Sequence, residues 1–244
     1  QKGVGALVFL NRKEAFDYNL SVDYNNPSEE EVATFRRLYE GEVRYTDECI
    51  GELLRYPRDK NLLDDSLILF TADHGHAFME HGRFGHAYDI LYNEVLHVPL
   101  LIFGLDKGRK IDAKVQLLDV SPTILDLLEI RKPSSFLGGN LLDAENSSDV
   151  IFSESAKPDL INLRYDTNKK TVSCIRDKVK LIINELQGTV ELYDLKKDFH
   201  EKNNCFERNK ELYTELAFLI EKHISFKDLC KQKIESRNNQ TQMK

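Results

Sequence analysis

The chain of 244 residues has no apolar run approaching the ~20 residues needed to cross a bilayer, and stretches such as 98–103 (VPLLIF) stop far short. No membrane partner is expected. It also lacks a basic excess: 34 Lys and Arg stand against 41 Asp and Glu, for a formal charge of −7. Without a clustered Lys/Arg face, a nucleic-acid partner is not expected either. An anionic substrate would have to be met by a local cation. Cysteine is sparse. Cys49, Cys174, Cys205 and Cys230 are widely spaced, with no C-x-x-C pair to suggest zinc or redox chemistry, so ordinary reduced or buried thiols are expected. The sequence opens Gln1-Lys2-Gly3-Val4, without an initiator Met or a basic-then-apolar stretch, an opening expected of a fragment or a processed product and one that assigns no compartment.

What is present is globular in character, with 41% apolar and 31% charged residues. Residues 5–11 (GALVFLN) suit a buried strand, although periodicity alone does not separate that from a buried helix. Asn26-Pro27-Ser28-Glu29 predicts a helix start, with Asn26 as N-cap, Pro27 at the first helical position and Glu29 at capping-box spacing. Val32, Phe35, Tyr39, Val43, Thr46, Ile50 and Leu53 follow at helical spacing, and Pro57 is expected to end the helix. Residues 66–71 (SLILFT) and 98–103 read as short buried strands flanking a Gly- and His-rich stretch, and Ser121-Pro122 as the cap of a helix through Ile124, Leu125 and Leu128. This alternation predicts an α/β sheet with covering helices.

After about Pro133 the pattern changes. Residues 150–152 suit another strand, 171–184 and 189–195 a hairpin around Gln187-Gly188, and 209–223 a helix, followed by a polar end expected to fray. The predicted organisation is an α/β portion over 1–148, a small antiparallel hairpin-plus-helix subdomain over 149–228, and a polar tail over 229–244.

Five of the seven histidines, His74, His76, His81, His86 and His97, crowd one window together with Asp73, Glu80 and Asp89. Asp73-His74-Gly75 comes directly after the strand SLILFT, and the carboxyl ends of strands in open α/β sheets are where ligands bind. Asp73 offers a hard anionic oxygen and His74 a neutral nitrogen, a pair suited to a divalent metal. Gly75 permits a sharp turn, and Gly82 and Gly85 let the next loop fold back so that His81 or His86 can approach the same pocket.

The run TADHGHAFMEHGRFGHAYDILYNEVLHVPLLIFG resembles the C-terminal signature of sulfatases of the alkaline phosphatase superfamily. LYEGEVRYTDECIGELL upstream, VQLLDVSPTILDLLEI after the VPL strand, and VKLIIN followed by VELYDLKKD agree in order, so the resemblance spans about residues 5–220. It implies an incomplete alkaline phosphatase-like fold with a mixed, mostly parallel sheet flanked by helices. It also implies that Asp73 and His74 ligate one divalent ion, with calcium the first candidate and manganese, magnesium or zinc the alternatives, and that His86 contacts the substrate or acts as general acid. His81 and His97 would support these ligands from behind, with His76 peripheral. The implied reaction is hydrolysis of a sulfuric ester by a formylglycine made from a C/S-x-P-x-R motif.

That motif is absent from this chain, so by the resemblance the nucleophile belongs to a missing N-terminal segment of the same protein, and this chain by itself is expected to be inactive. A second departure is Phe16, which stands where relatives carry a His and which cannot hydrogen-bond a sulfuryl oxygen. Hydrolysis of phosphate or phosphonate esters, phosphoryl transfer, and a non-catalytic role on the same scaffold are the alternatives.

Overall fold

A computed structural model of the chain describes residues 26–86, 89–105, 108, 110–143, 149–159 and 164–242. The strand expected over 5–11 and Phe16 lie outside the described residues. The fold is α/β and divides into two compact units, Gln1–His86 with His97–Gly108, and Ala87–Leu96 with Arg109–Lys244.

In the first unit, helix α1 (Glu29–Asp59) starts two residues later than Asn26 would place it. Ser28 is the N-cap. Its hydroxyl accepts the Glu31 N–H at 3.3 Å while its own N–H donates to the Glu31 carboxylate at 2.7 Å, a reciprocal capping box. Pro57 lies inside the last turn instead of ending the helix. Its ring removes a hydrogen bond to the preceding turn, but its carbonyl still accepts the Leu62 N–H at 2.8 Å. The apolar stripe has helical spacing, yet Tyr39, Val43 and Leu53 are exposed and Thr34 is the buried residue of this helix.

Strands β1 (Ile68–Thr71) and β4 (Leu100–Phe103) pair antiparallel, with Ile68 opposite Phe103 and Phe70 opposite Leu101. Both begin two residues later than the sequence suggests. Ser66 is held by the preceding turn, its N–H and hydroxyl donating to the carbonyls of Leu63 and Leu62, and Pro99 has no N–H to give a ladder. The register puts Phe70, Leu101 and Phe103 on one face, where all three are exposed. Between these strands lies a hairpin the sequence did not announce, β2 (Ala77–Phe78) with β3 (Phe84–Gly85).

The second unit contains the short helix α2 (Asn93–Leu96), helix α3 (Val120–Leu127), a four-stranded sheet and the long helix α4 (Lys210–Gln242). The sheet runs β5 (Val150–Asp159), β6 (Arg164–Arg176), β7 (Val179–Asn184) and β8 (Thr189–Asp194) in sequential order. The segment expected as one strand over 171–184 is two, joined at Asp177 and Lys178 with φ of 48° and 67°. Both residues sit in the left-handed region without a glycine to mark the turn, which hid it. Ser121 and Pro122 do not cap α3. A 3₁₀ turn over Leu117–Asp119 leads in, and the Asp119 carboxylate accepts from Gln116 N–H at 3.0 Å and Gly139 N–H at 2.8 Å. Helix α4 continues through the stretch expected to fray.

Alternation along β7 explains the core. Val179, Leu181 and Ile183 pack with Leu216 and Ile220 of α4, while Ile182 points the other way to Leu91 and Tyr193. Every strand pairing among the described residues is antiparallel, so the mostly parallel character implied by the resemblance does not appear there. Among the described residues, the connection from β1 to β4 contains no long covering helix of the kind a parallel crossover needs.

Candidate functional site

Strand β1 delivers Asp73 and His74 to its carboxyl end, where both are exposed. Asp73 Oδ1 accepts the His74 N–H at 2.9 Å, which folds the carboxylate back over the turn, and Oδ2 lies 3.8 Å from His74 Nε2. On the opposite side of the ring, Nδ1 is 2.9 Å from the Gly75 carbonyl. A carbonyl only accepts, so Nδ1 carries the proton, and in the neutral ring Nε2 keeps its lone pair. A metal-binding imidazole uses this arrangement, one nitrogen for the ion and the other held by an acceptor.

The hairpin brings the other histidines in. His76-Ala77-Phe78 and Phe84-Gly85-His86 read as mirror images in the sequence, and pairing Ala77 with Gly85 and Phe78 with Phe84 sets His76 across from His86. Their ring centroids are 5.8 Å apart, and His86 stacks on His74 at 4.3 Å with 24° between the planes. The fold thus assembles Asp73, His74 and His86 in one place. His81 lies in the turn of the hairpin, and His97 is exposed in the link to β4.

His76 is not peripheral. It packs against Phe78 at 4.7 Å, Phe84 at 5.4 Å and Tyr39 of α1 at 5.8 Å. Burial pushes its imidazole below the ordinary value, with His86 and His74 adding to the shift and Glu80 opposing it. A ring kept neutral in this way suits support more than charge. The mirror-image tripeptides were the signal that would have placed it.

Glu80 and Arg36 are two further residues that the sequence reading did not connect. Arg36 Nη2 lies 2.9 Å from Glu80 Oε1, and the other Glu80 oxygen accepts the Phe78 N–H. Burial opposes ionisation of Glu80, but the N–H groups of Glu80 and Phe78 and the Arg36 guanidinium outweigh it and hold the carboxyl below its usual range.

Asp73 and His74 fit a divalent ion in donor type. In number they form only one side of a site, because among the described residues no group of three or more His, Cys, Asp or Glu gathers to hold a metal. Among the described residues, also, no helix is long and apolar enough to cross a membrane.

The sulfatase family profile matches residues 12–130, and the profile of the N-sulphoglucosamine sulphohydrolase C-terminal region matches residues 79–228. Arylsulfatase K of Gallus gallus is 31% identical over 208 residues, covering 80% of this chain and 38% of that protein. A solved protein from Bacteroides thetaiotaomicron VPI-5482 ascribed to the sulfatases shares the fold at a TM-score of 0.73 and 19% identity, over 83% of this chain and 45% of its own. A structure in complex with its substrate D-glucosamine-2-N,6-O-disulfate matches at a TM-score of 0.65 and 25% identity, over 87% of this chain and 45% of its own. The phosphonate monoester hydrolase of Agrobacterium radiobacter matches at a TM-score of 0.67 and 24% identity, over 83% of this chain and 42% of its own. The chain spans less than half the length of each of these relatives.

Proposed function

The chain belongs to the sulfatase family of the alkaline phosphatase superfamily, and from that premise we propose that the full-length protein is a metal-dependent sulfuric ester hydrolase in which this chain supplies one side of the active site. The observation that carries the proposal is the placement of Asp73 and His74 at the end of β1 with the His86 ring stacked on His74 at 4.3 Å.

Asp73 and His74 would hold one divalent ion, with calcium the first candidate and manganese, magnesium or zinc the alternatives. Bound there, the ion supplies the positive charge that an ester's anionic oxygens need and that a chain of net charge −7 otherwise offers sparingly. His86 faces the substrate. As an imidazolium it pairs with the anionic ester, and it can hand its proton to the departing oxygen. His81 and His97 support the cluster from outside the ring stack. The formylglycine nucleophile, together with the acidic residues that complete the metal's coordination, comes from the missing N-terminal segment of the same protein. The substrate is an anionic sulfate ester, the class represented by the disulfated glucosamine bound to one structural relative.

The test is turnover by the full-length protein on aryl sulfate, phosphate and phosphonate esters. Sulfate ester hydrolysis that is lost on chelation and in His86→Ala is expected. Turnover of phosphate or phosphonate esters with none of the sulfate would shift the reading to that branch of the superfamily, and no turnover of any ester would mark a non-catalytic relative.

A further inference from the structure

We infer that Arg36 of α1 is the positioning residue for His86, fixing the hairpin that carries the His86 ring onto His74; this rests on the assignment of His86 as the substrate-facing group. Strands β2 and β3 hold two residues each, too few to keep an orientation of their own. What orients them is α1. Phe35 lies 5.2 Å from Phe84, and Tyr39 lies 5.4 Å from Phe78 and 5.8 Å from His76. Arg36, between them on the helix, makes two contacts at once: its Cζ sits 4.7 Å over the Phe78 ring, and its Nη2 pairs with Glu80 at 2.9 Å.

Glu80 makes that contact effective. One oxygen takes Arg36 and the other takes the Phe78 N–H, so a single carboxylate ties the turn to its own strand and to the helix. Met79, between Phe78 and Glu80, has a φ of +71°, a region that non-glycine residues seldom occupy. The two bonds to Glu80 hold the backbone there. From Phe78 the packing runs through His76 to His86 and so to His74.

The side chains of Arg36 and Glu80 are 48% and 33% exposed, and pairs this open add little to overall stability. Loss of Arg36 is therefore expected to displace the ring cluster without melting the unit. Lysine is an incomplete replacement, since an ammonium can pair with Glu80 but lacks the planar group that lies over Phe78.

Two measurements test this. In histidine-labelled protein, NMR reads the ring signals of His74 and His86, which their mutual stacking displaces. Arg36→Ala is expected to move both toward unstacked positions and to leave His223, stacked on Phe152 at 4.1 Å in the other unit, where it was. Arg36→Lys should fall between. Unmoved His74 and His86 signals in Arg36→Ala, or equal movement of His223, would overturn the inference. In the full-length enzyme, Arg36→Ala is expected to lower kcat/KM about 10-fold on its own and to add nothing in a His86→Ala background. Additive losses would mean that Arg36 does not act through His86. If His86→Ala itself leaves turnover intact, the role given to His86 falls, while the NMR result still decides whether Arg36 positions its ring.

Discussion

Lys180 Nζ lies 2.5 Å from Glu201 Oε1, with both side chains wholly buried in the second unit. Asn93 completes the group: its N–H donates to the second Glu201 oxygen at 2.6 Å, and its Oδ1 accepts from Lys180 at 3.2 Å. Burial pushes the Lys180 ammonium down and the Glu201 carboxyl up, and each shift is opposed by the partner's charge. Removing one member strands the other. Lys180→Met is expected to cost about 3–5 kcal/mol, and adding Glu201→Leu to it should recover much of that loss. Urea unfolding of the single and double variants checks this, and a double variant no more stable than the single would contradict it.

High pH should weaken the same unit. Burial pushes the Cys174 thiol up to about 12 from an ordinary value of 9.0. The Tyr92 and Tyr193 hydroxyls both donate to Glu191, at 2.7 and 2.6 Å, and burial followed by that carboxylate raises them as well. The folded state keeps these protons after the unfolded state has released them. The contribution of these three groups is therefore complete below about pH 9 and declines above it, by up to about 1.4 kcal/mol per pH unit for each group. Urea midpoints measured from about pH 8 to 11 should fall, and Cys174→Val should delay the onset toward the tyrosine range.

Gly104 follows β4 with a φ of +93°, and a Cβ there would meet the Ser66 carbonyl oxygen at 2.1 Å. Gly104→Ala combines backbone strain with a clash against backbone. A cost above about 1 kcal/mol is expected, concentrated in the β1–β4 pair that carries Asp73. Faster amide exchange at Leu69 and Ile102, with the amides of β7 unchanged, is the signature to look for.

The 244-residue chain alone should bind divalent ions weakly, because one carboxylate and one imidazole do not offset the dehydration of an ion. Calorimetry with calcium, manganese, magnesium and zinc is expected to show no tight one-to-one binding. A tight calcium site would mean that ligands beyond Asp73 and His74 converge within this chain.

The strand-end position of Asp73-His74 was legible because a short apolar run directly precedes it, and the turn at Gln187-Gly188 because glycine marks it. His76 was misread for the opposite reason. Its role depends on pairing across a five-residue turn, and the two-residue strands that set the pairing are too short to show a periodicity. Asp177-Lys178 hid its turn by adopting left-handed backbone without glycine. The buried Lys180 was out of reach, since a charged residue in a strand reads as solvent-facing until a distant partner such as Glu201 is known. The start of α1 shows a subtler limit: Asn26 with Glu29 and Ser28 with Glu31 both have capping-box spacing, and the structure forms the second.

The aromatic and aliphatic side chains left open on α1 and on one face of β1–β4 have a practical consequence. Tyr39, Val43, Leu53, Phe70, Leu101 and Phe103 present water with adhesive surface within a single unit. Produced by itself at high concentration, the chain should clump, and its scattering should rise with concentration more steeply than that of a well-covered protein of the same mass. Detergent or a low-salt, alkaline-side buffer that strengthens its net negative charge would keep it dispersed longest.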